Sequence, residues 1–175
     1  VRAASLLSRR QRGEEGLRSA RSLLFVCKGN ICRSPFAAAR AAALLPGVRV
    51  GSAGYAAVPG RRSPAAALCA AAASGVDLSA HRAQALDEAL LGEADLVFVF
   101  DEDCWRALWT RHPSARPRLR RLAALAGAPS IADPDGGAEA EFVACYALID
   151  RALRRAAELK APGADSPAAA PRAAR

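Results

Sequence analysis

The sequence predicts a single α/β domain in which helices cover both faces of a parallel β-sheet. Its 175 residues suit one domain with one hydrophobic core. Short apolar runs of strand length alternate along the chain with longer helical patterns, an order typical of parallel sheets with right-handed crossovers. Ligands bind in such folds beyond the carboxyl ends of the strands, so the loops that follow the strands are the candidates for a functional site.

The first half of the chain contains two predicted strands and two predicted helices. The run SLLFVC, Ser22–Cys27, reads as a short buried strand that ends at a glycine-containing turn. Ser34 and Pro35 then supply a preferred N-cap and a preferred first residue for an Ala-rich helix. A second strand is predicted at residues 48–53, and a second helix that starts at a Ser-Pro pair is predicted at residues 63–75.

The second half continues the alternation. Residues 95–100, DLVFVF, form the clearest strand pattern in the chain, and the apolar residues of Glu139–Lys160 repeat at the spacing of a long amphipathic helix. Before this strand the sequence predicts a short helical turn at 87–91. Between the strand and the long helix it predicts a helix at 101–109, a segment at 119–125 that fits strand or helix equally, and a loop at 131–137.

The net charge of +8 lies mostly near the two ends of the chain. Residues 1–21 hold six Arg and two Glu, and residues 160–175 have a net charge of +2, which leaves +2 for the remainder. The sequence therefore predicts a flexible basic tail at 1–21, a folded domain at 22–160 and a flexible Ala/Pro-rich tail at 161–175. The net charge therefore does not imply a basic patch on the fold, and no specific nucleic-acid binding is expected.

Apolar runs are too short for a membrane helix of ~20 residues, and the first residues lack the apolar stretch of a secretory signal. We therefore expect a cytoplasmic protein without membrane association. The five cysteines are odd in number and irregular in spacing, which does not fit a disulfide framework. With two His and no CxxC pair, neither a zinc site nor any other metal or cofactor is expected. Cys69, Cys104 and Cys145 are interpreted as small buried hydrophobic residues.

The loop after the first strand, CKGNICRS, has the residues of an anion site. A helix N-terminus offers free N–H groups and partial positive charge, and Gly29 and Asn30 tolerate the positive φ that lets successive amides point inward. The planar fork of Arg33 can hold two phosphate oxygens. The positive electrostatic potential at the helix N-terminus also favours the thiolate form of Cys27, which would then attack phosphorus. Alternatively, Cys27 is a core residue and the loop a simple turn.

The string VCKGNICRSP resembles the signature of the low-molecular-weight protein tyrosine phosphatases, of the bacterial type. Further segments match in the same order over about residues 22–160: VGSAG, SAHRA, ADLVFVFDED and ADPDGG. The resemblance implies a four-stranded, flavodoxin-like sheet and a hydrolase that dephosphorylates protein phosphotyrosine through a phosphocysteine, without a cofactor. It implies that Cys27 is the nucleophile, that Arg33 is the phosphate clamp, and that the phosphate is bound by Lys28, Gly29, Asn30, Ile31, Cys32 and Ser34.

The remaining roles also follow from the resemblance. Asp133, in an Asp-Pro pair, matches the family's general acid, although an Asp before Pro is by itself a common turn residue. Asn30, Ser34, Ser52 and His81 match a hydrogen-bond network that supports the loop. Relatives with a second loop cysteine form a reversible disulfide with the nucleophile, which is a hypothesis here for Cys27 and Cys32, the alternative being that Cys32 is inert.

The substrate is less firmly indicated. Asp135 follows the Asp-Pro pair where many relatives have an aromatic residue, and Tyr55 lies near the place of another aromatic wall. A bacterial branch of the family hydrolyses phosphoarginine, but it carries Thr at the position of Ile31. We therefore predict a protein tyrosine phosphatase, with a protein arginine phosphatase as the alternative.

Two further classes are less favoured. An arsenate reductase of this fold needs a downstream cysteine pair, and only Cys104 lies in that region. A non-catalytic phosphate-binding module is disfavoured because the nucleophile, clamp and acid are all present. The target protein and the oligomeric state are not determined by the sequence, and a monomer is the default expectation.

Overall fold

The computed structural model describes residues 14–161, which fold around one four-stranded sheet. Its strands lie in the order β2-β1-β3-β4, and every pair is parallel. The strands are β1 (Ser22–Cys27), β2 (Arg49–Gly54), β3 (Leu96–Val99) and β4 (Leu119–Arg121). The predicted fold class, a single α/β domain with a four-stranded parallel sheet, is confirmed.

Within residues 14–161, six helices connect and flank the strands. They are α1 (residues 14–19), α2 (Arg33–Leu44), α3 (Ala65–Ala73), α4 (Glu88–Glu93), α5 (Glu102–Arg111) and α6 (Glu139–Lys160), and two short 3-10 helices span Pro113–Arg118 and Leu122–Ala126. The long amphipathic helix has the predicted bounds. The ambiguous segment at 119–125 contains both candidates, because β4 is followed directly by the second 3-10 helix.

The two central strands are buried along their whole length. A parallel strand with helices on both faces needs apolar residues on both sides, which explains the continuous rather than alternating apolar runs of β1 and β3. Phe25 and Phe98, paired across these strands, stack with ring centroids 5.6 Å apart. The core therefore fixes the position of Cys27 at the end of β1.

Helix α2 begins at Arg33, two residues earlier than predicted. Cys32 occupies the N-cap position and makes no side-chain capping bond, so Ser34, predicted as the cap, lies inside the helix. The Ser34 hydroxyl instead contacts Cys27 and Asn30. Contacts with Cys27 and Asn30 have thus replaced the capping contact that local preference predicts.

The folded region also begins before Ser22. Residues 14–19 are helical, and Leu17 is buried in the core. Lys160, at the end of α6, donates hydrogen bonds to the carbonyls of Leu17, Arg18 and Ala20 at 3.0, 3.1 and 2.6 Å. The prediction of a tail is therefore wrong for residues 14–21, while its other parts, 1–13 and 162–175, lie outside the described residues. None of the helices described is both long and apolar enough to cross a membrane.

Candidate active site

The predicted loop lies at the carboxyl edge of the sheet, where β1 ends at Cys27 and α2 begins at Arg33. Residues that follow the neighbouring strand β2 form hydrogen bonds to this loop. The N–H groups of Tyr55 and Ala56, just after β2, donate to the carbonyls of Cys27 and Lys28 at 3.1 and 3.0 Å. These bonds satisfy carbonyls that would otherwise face the interior of a curled loop, and they fix its path.

Close approach of two backbone segments requires glycine at the end of β2. A Cβ atom at Gly54 would lie 2.7 Å from the carbonyl oxygen of Lys28 and 2.9 Å from the amide nitrogen of Asn30. Among the described non-glycine residues, Asn30 alone has a positive φ, 52°. Asn is the residue after glycine that adopts this conformation most readily, whereas Gly29, the other loop residue expected to take a positive φ, does not take one.

Asn30 is the centre of a buried hydrogen-bond network. Its amide donates to the hydroxyls of Ser34 and Ser52 at 2.8 and 2.9 Å, and its side-chain oxygen accepts from the N–H of Gln84 at 2.9 Å. His81 Nε2 lies 2.7 Å from the Asn30 carbonyl and donates to it. The structure thus brings together the four residues expected in the network. Gln84, which also donates to the Ser52 carbonyl at 2.6 Å, was not predicted.

Cys27 lies at the base of the loop with its sulfur 3.0 Å from the Ser34 hydroxyl oxygen. The thiol is almost fully buried, and the loop residues around it differ in their exposure to solvent. Lys28 is exposed and Gly29 is partly exposed, whereas Ile31 is buried in the hydrophobic core. The residues predicted to bind phosphate therefore differ in side-chain exposure, while each also has a backbone N–H group.

Arg33 is buried to 1% exposure and is held between two carboxylates. Its Nη1 donates to Asp101 and, at 3.1 Å, to the carbonyl of Ile131, while its Nη2 lies 2.6 Å from Asp133 Oδ2. Although burial alone would lower the pKa of this guanidinium, the hydrogen bond to Asp101 and the charge of Asp133 raise it. The buried Nε–H has no partner within residues 14–161, so Arg33 retains a donor suited to an anion.

Asp101 is a site residue that the sequence reading missed. It is the N-cap of α5, where its Oδ1 accepts from the N–H of Cys104 at 2.7 Å. Partial burial acts to raise its pKa, but the bonds from Cys104 and Arg33 hold that pKa below the usual range. Its position in the sequence could have identified it, because an acidic residue directly after a predicted buried strand lies at the same sheet edge as Cys27.

The loop that carries Asp133 is anchored at one end and open at the other. The N–H of Ile131 donates to the Phe100 carbonyl at 2.8 Å, and the Ile131 side chain is fully buried. Asp133 itself is 36% exposed. Beyond it, Gly136 has a φ of 82°, and Gly137 N–H donates to the Pro134 carbonyl at 2.9 Å. Asp133 thus reaches Arg33 from a surface loop.

Asp135, the residue that departs from the pattern, faces the second loop cysteine. Its Oδ1 lies 3.9 Å from the Cys32 sulfur. Burial raises the pKa of the Cys32 thiol, and the negative charges of Asp135 and Cys27 raise it further. Tyr146 donates to the Cys32 carbonyl at 3.3 Å. Cys32 is therefore a protonated thiol beside the proposed nucleophile.

The other cysteines are placed as predicted with one exception. Cys104 and Cys145 are buried, whereas Cys69 on α3 is exposed, so its interpretation as a buried residue is wrong. Burial raises the pKa of Cys145 to about 12 and also raises that of Cys104. All five cysteines are free, and within residues 14–161 no three His, Cys, Asp or Glu side chains cluster as a metal site would require.

Comparison with known proteins gives one consistent family. The family model "Low molecular weight phosphotyrosine protein phosphatase" matches residues 22–162. The "Probable low molecular weight protein-tyrosine-phosphatase EpsP" of Ralstonia nicotianae is 38% identical over 133 residues, which are 76% of this chain and 91% of that protein. The Wzb protein of Salmonella typhi, named a low molecular weight protein-tyrosine-phosphatase, is 31% identical over 78% of this chain and 91% of its own length.

Solved structures agree with the family model. Vibrio vulnificus Wzb in complex with benzylphosphonate is 35% identical, with a TM-score of 0.75, over 78% of this chain and 97% of that one. The YwlE arginine phosphatase of Geobacillus stearothermophilus is 32% identical, with a TM-score of 0.73, over 78% of this chain and 90% of that one.

Proposed function

The chain belongs to the low-molecular-weight phosphotyrosine protein phosphatase family, and we propose that it hydrolyses phosphotyrosine in proteins through a phosphocysteine intermediate. The observation that carries the proposal is the position of Arg33. Its buried guanidinium lies beside the loop that Cys27 begins, and it is paired with the carboxylate of Asp133. A nucleophile, an anion clamp and an acid thus meet at one edge of the sheet.

In the first step, the Cys27 thiolate attacks phosphorus and the bond to the tyrosine oxygen breaks. The leaving oxygen takes a proton from the Asp133 carboxyl group, which avoids release of a free phenolate. The Ser34 hydroxyl, 3.0 Å from the sulfur, can donate a hydrogen bond to the thiolate before attack and after its release. The product of this step is phosphocysteine and neutral tyrosine.

Arg33 and Asp133 exchange partners during this step. In the structure, Asp133 pairs with Nη2 of Arg33. A bound phosphate competes for the same guanidinium, because its oxygens form a bidentate pair with Arg. Asp133 is then released from the ion pair, takes up a proton from solvent and turns toward the leaving oxygen, while Asp101 keeps its hydrogen bond to Nη1 and maintains the orientation of the clamp.

The second step regenerates the enzyme. Asp133, now a carboxylate, accepts a proton from water, the water oxygen attacks phosphorus, and the bond between phosphorus and the Cys27 sulfur breaks. Inorganic phosphate and the Cys27 thiolate are the products. The Cys27 sulfur must remain reduced for each turnover, so the proposal includes a reducing compartment, the cytoplasm.

Substitution of the nucleophile tests the proposal. Cys27→Ser should abolish turnover of p-nitrophenyl phosphate and of a phosphotyrosine peptide, while inorganic phosphate still binds, because the loop amides and Arg33 remain. If the wild-type protein binds phosphate or vanadate but hydrolyses neither substrate, the chain is a phosphate-binding module and the proposal fails.

A protein arginine phosphatase is the second candidate. It is favoured by the Asp135 carboxylate beside the loop, which would attract a guanidinium leaving group, and by the similarity to the YwlE arginine phosphatase. Tyrosine is favoured by the apolar Ile31 in the loop and by Tyr55, half-buried directly after β2. The kcat/KM values of matched phosphotyrosine and phosphoarginine peptides, measured without metal under reducing conditions, distinguish the two.

A further inference from the structure

A surface on α5 and the segment after it combines aromatic rings with arginines. We call it the tryptophan–arginine surface, and its members are Trp105, Arg106, Trp109, Arg116 and Arg121. The two indole rings stack with centroids 5.6 Å apart and planes 17° apart. Arg121 lies over the Trp105 ring at 4.4 Å, and Arg116 lies over the Trp109 ring at 5.0 Å. These contacts hold two guanidinium groups in fixed positions.

The net charge of the whole domain is small, so it does not reveal the positive charge of this surface. Residues 105–121 contain six Arg and no Asp or Glu. Arg106 is exposed, and within residues 14–161 it has no acidic partner. Arg116 donates to the Trp109 carbonyl at 2.8 Å rather than to a carboxylate. Arg121 pairs with Glu102 at 2.7 Å, so one of the three positive charges is partly neutralised. An uncompensated positive charge remains beside Trp109, which is 43% exposed.

The surface begins at the same edge of the sheet as the candidate active site. Arg121 is the last residue of β4, which pairs with β3, and β3 pairs with β1, which ends at Cys27. All of these strands are parallel, so their carboxyl ends meet at one edge. Two strand spacings separate Arg121 from Cys27, a distance of about 10 Å. Residues within a few positions of a phosphorylated side chain bound at Cys27 would therefore be close enough to reach Arg121.

Carboxylates fit this surface better than nucleobases do. Each indole ring already contacts the other ring and a guanidinium group. Single-stranded nucleic acid binds by stacking its bases on open aromatic rings. A guanidinium that lies on a ring still presents its N–H edge outward, and this edge forms paired hydrogen bonds with a carboxylate.

We propose that the tryptophan–arginine surface binds an acidic segment of the phosphorylated substrate protein, beginning about three residues from the phosphotyrosine. The proposal rests on the proposed function, because that function supplies a protein substrate at Cys27. The surface would increase the rate of productive encounter with substrates in which Glu or Asp follow or precede the phosphorylated residue.

A binding experiment can test the surface without catalysis. Trp105 and Trp109 are the only tryptophans of the chain, so intrinsic tryptophan fluorescence reports on this surface directly. A phosphate-free peptide rich in Glu, without Trp or Tyr, should give a saturable fluorescence change at low salt that weakens as salt is added. The matched peptide with Gln in place of Glu should give none.

Kinetics with matched variants then tests the link to the active site. For a phosphotyrosine peptide with a Glu segment, kcat/KM should exceed that of its Gln counterpart by about threefold to tenfold at low salt. In the double variant Arg106→Gln with Arg116→Gln, this ratio should fall to about one, and hydrolysis of p-nitrophenyl phosphate should not change. The control, Arg151→Gln with Arg154→Gln on the exposed face of α6, should keep the ratio.

The outcomes separate the two proposals. A fluorescence change without phosphotyrosine hydrolysis would reject the proposed function and keep the acidic-segment surface. No preference for Glu over Gln in the wild type, or a preference that the double variant retains, would overturn the surface. Tighter binding of a single-stranded oligothymidine than of the Glu peptide, through the same arginines, would overturn it in favour of nucleic acid.

Discussion

Arg33 Nη2 and Asp133 Oδ2 lie 2.6 Å apart, so the proposed clamp and the proposed acid form an ion pair in the free protein. The two side chains differ in solvent exposure: Arg33 is fully buried, whereas Asp133 is partly exposed on a surface loop. We therefore expect the guanidinium to stay in place when the pair breaks and the carboxylate to move. A bound phosphate and Asp133 compete for one cation, which makes several properties of the site measurable.

Removal of the Asp133 carboxylate should affect binding and turnover in opposite directions. Asp133→Ala frees Nη2 of Arg33, so we expect inorganic phosphate to bind about two- to fivefold more tightly, the value of one half-exposed ion pair. Turnover should fall, and it should fall more for a phosphotyrosine peptide than for p-nitrophenyl phosphate, whose leaving group needs less protonation. The measurements are phosphate inhibition constants and kcat on both substrates. Equal losses on both substrates would contradict the role of acid.

Asp101 should act by holding Arg33 in position. Asp101→Asn keeps an oxygen for the Cys104 N–H, and Asn is a good N-cap, so α5 should persist. Loss of the charged hydrogen bond to Arg33 should lower kcat/KM by about ten- to a hundredfold. Asp87→Asn, the same change at the N-cap of α4, is the control and should have normal activity. If the two variants hydrolyse p-nitrophenyl phosphate equally well, Asp101 does not position the clamp.

The same substitution should change the response of stability to acid. The pKa of Asp101 is lower in the folded protein than its ordinary value of 3.8. Its contribution to the free energy of unfolding is therefore present above that pH and lost as the pH falls below it through the folded value. Urea unfolding of Asp101→Asn, compared with wild type from neutral pH down to about pH 3, should show a shallower loss of stability. An identical slope for both proteins would reject this assignment.

Gly54 should be required for the shape of the loop. Gly54→Ala places a methyl group 2.7 Å from the Lys28 carbonyl oxygen, and neither backbone segment can retreat from the buried edge. We expect a loss of about 1–3 kcal/mol in the free energy of unfolding, together with a loss of activity of more than about tenfold. Gly51→Ala in the same strand, where the nearest atom is a Leu24 methyl at 3.4 Å, should be nearly neutral. Similar activity in both variants would contradict the requirement.

The sheet and the loop could be predicted because their signals are local. β1 and β3 are continuous apolar runs, and Cys27, Gly29, Asn30 and Arg33 lie within one short stretch after the first of them. The full string VCKGNICRSP between a strand and a helix indicates an anion cradle, which the spacing of Cys27 and Arg33 alone would not.

The residues that were missed depend on distant partners. Asp101 forms a hydrogen bond with Arg33, which lies 68 residues earlier in the sequence. Gly54 is constrained by close contact with the loop, and no local sequence pattern indicates that contact. Residues 14–19 carry too few apolar side chains to signal a helix, and Leu17 is buried only because it meets the core near the end of α6. Tertiary contacts, rather than local preference, determine these features.

Asp135 should control how quickly the two loop cysteines form a disulfide. Mild peroxide would convert the Cys27 thiolate to a sulfenic acid, and the Cys32 sulfur would then displace hydroxide to form the S–S bond. This step needs a Cys32 thiolate, and the Asp135 carboxylate 3.9 Å away is one of the charges that raise the pKa of Cys32. Asp135→Asn should therefore accelerate formation of the Cys27–Cys32 bond, measured by mass spectrometry after quenching with a thiol-alkylating reagent. Asp103→Asn, at an exposed position on α5, serves as the control. Equal rates in both variants would show that Asp135 does not protect Cys32, and absence of the bond in wild type and variants would reject the disulfide itself.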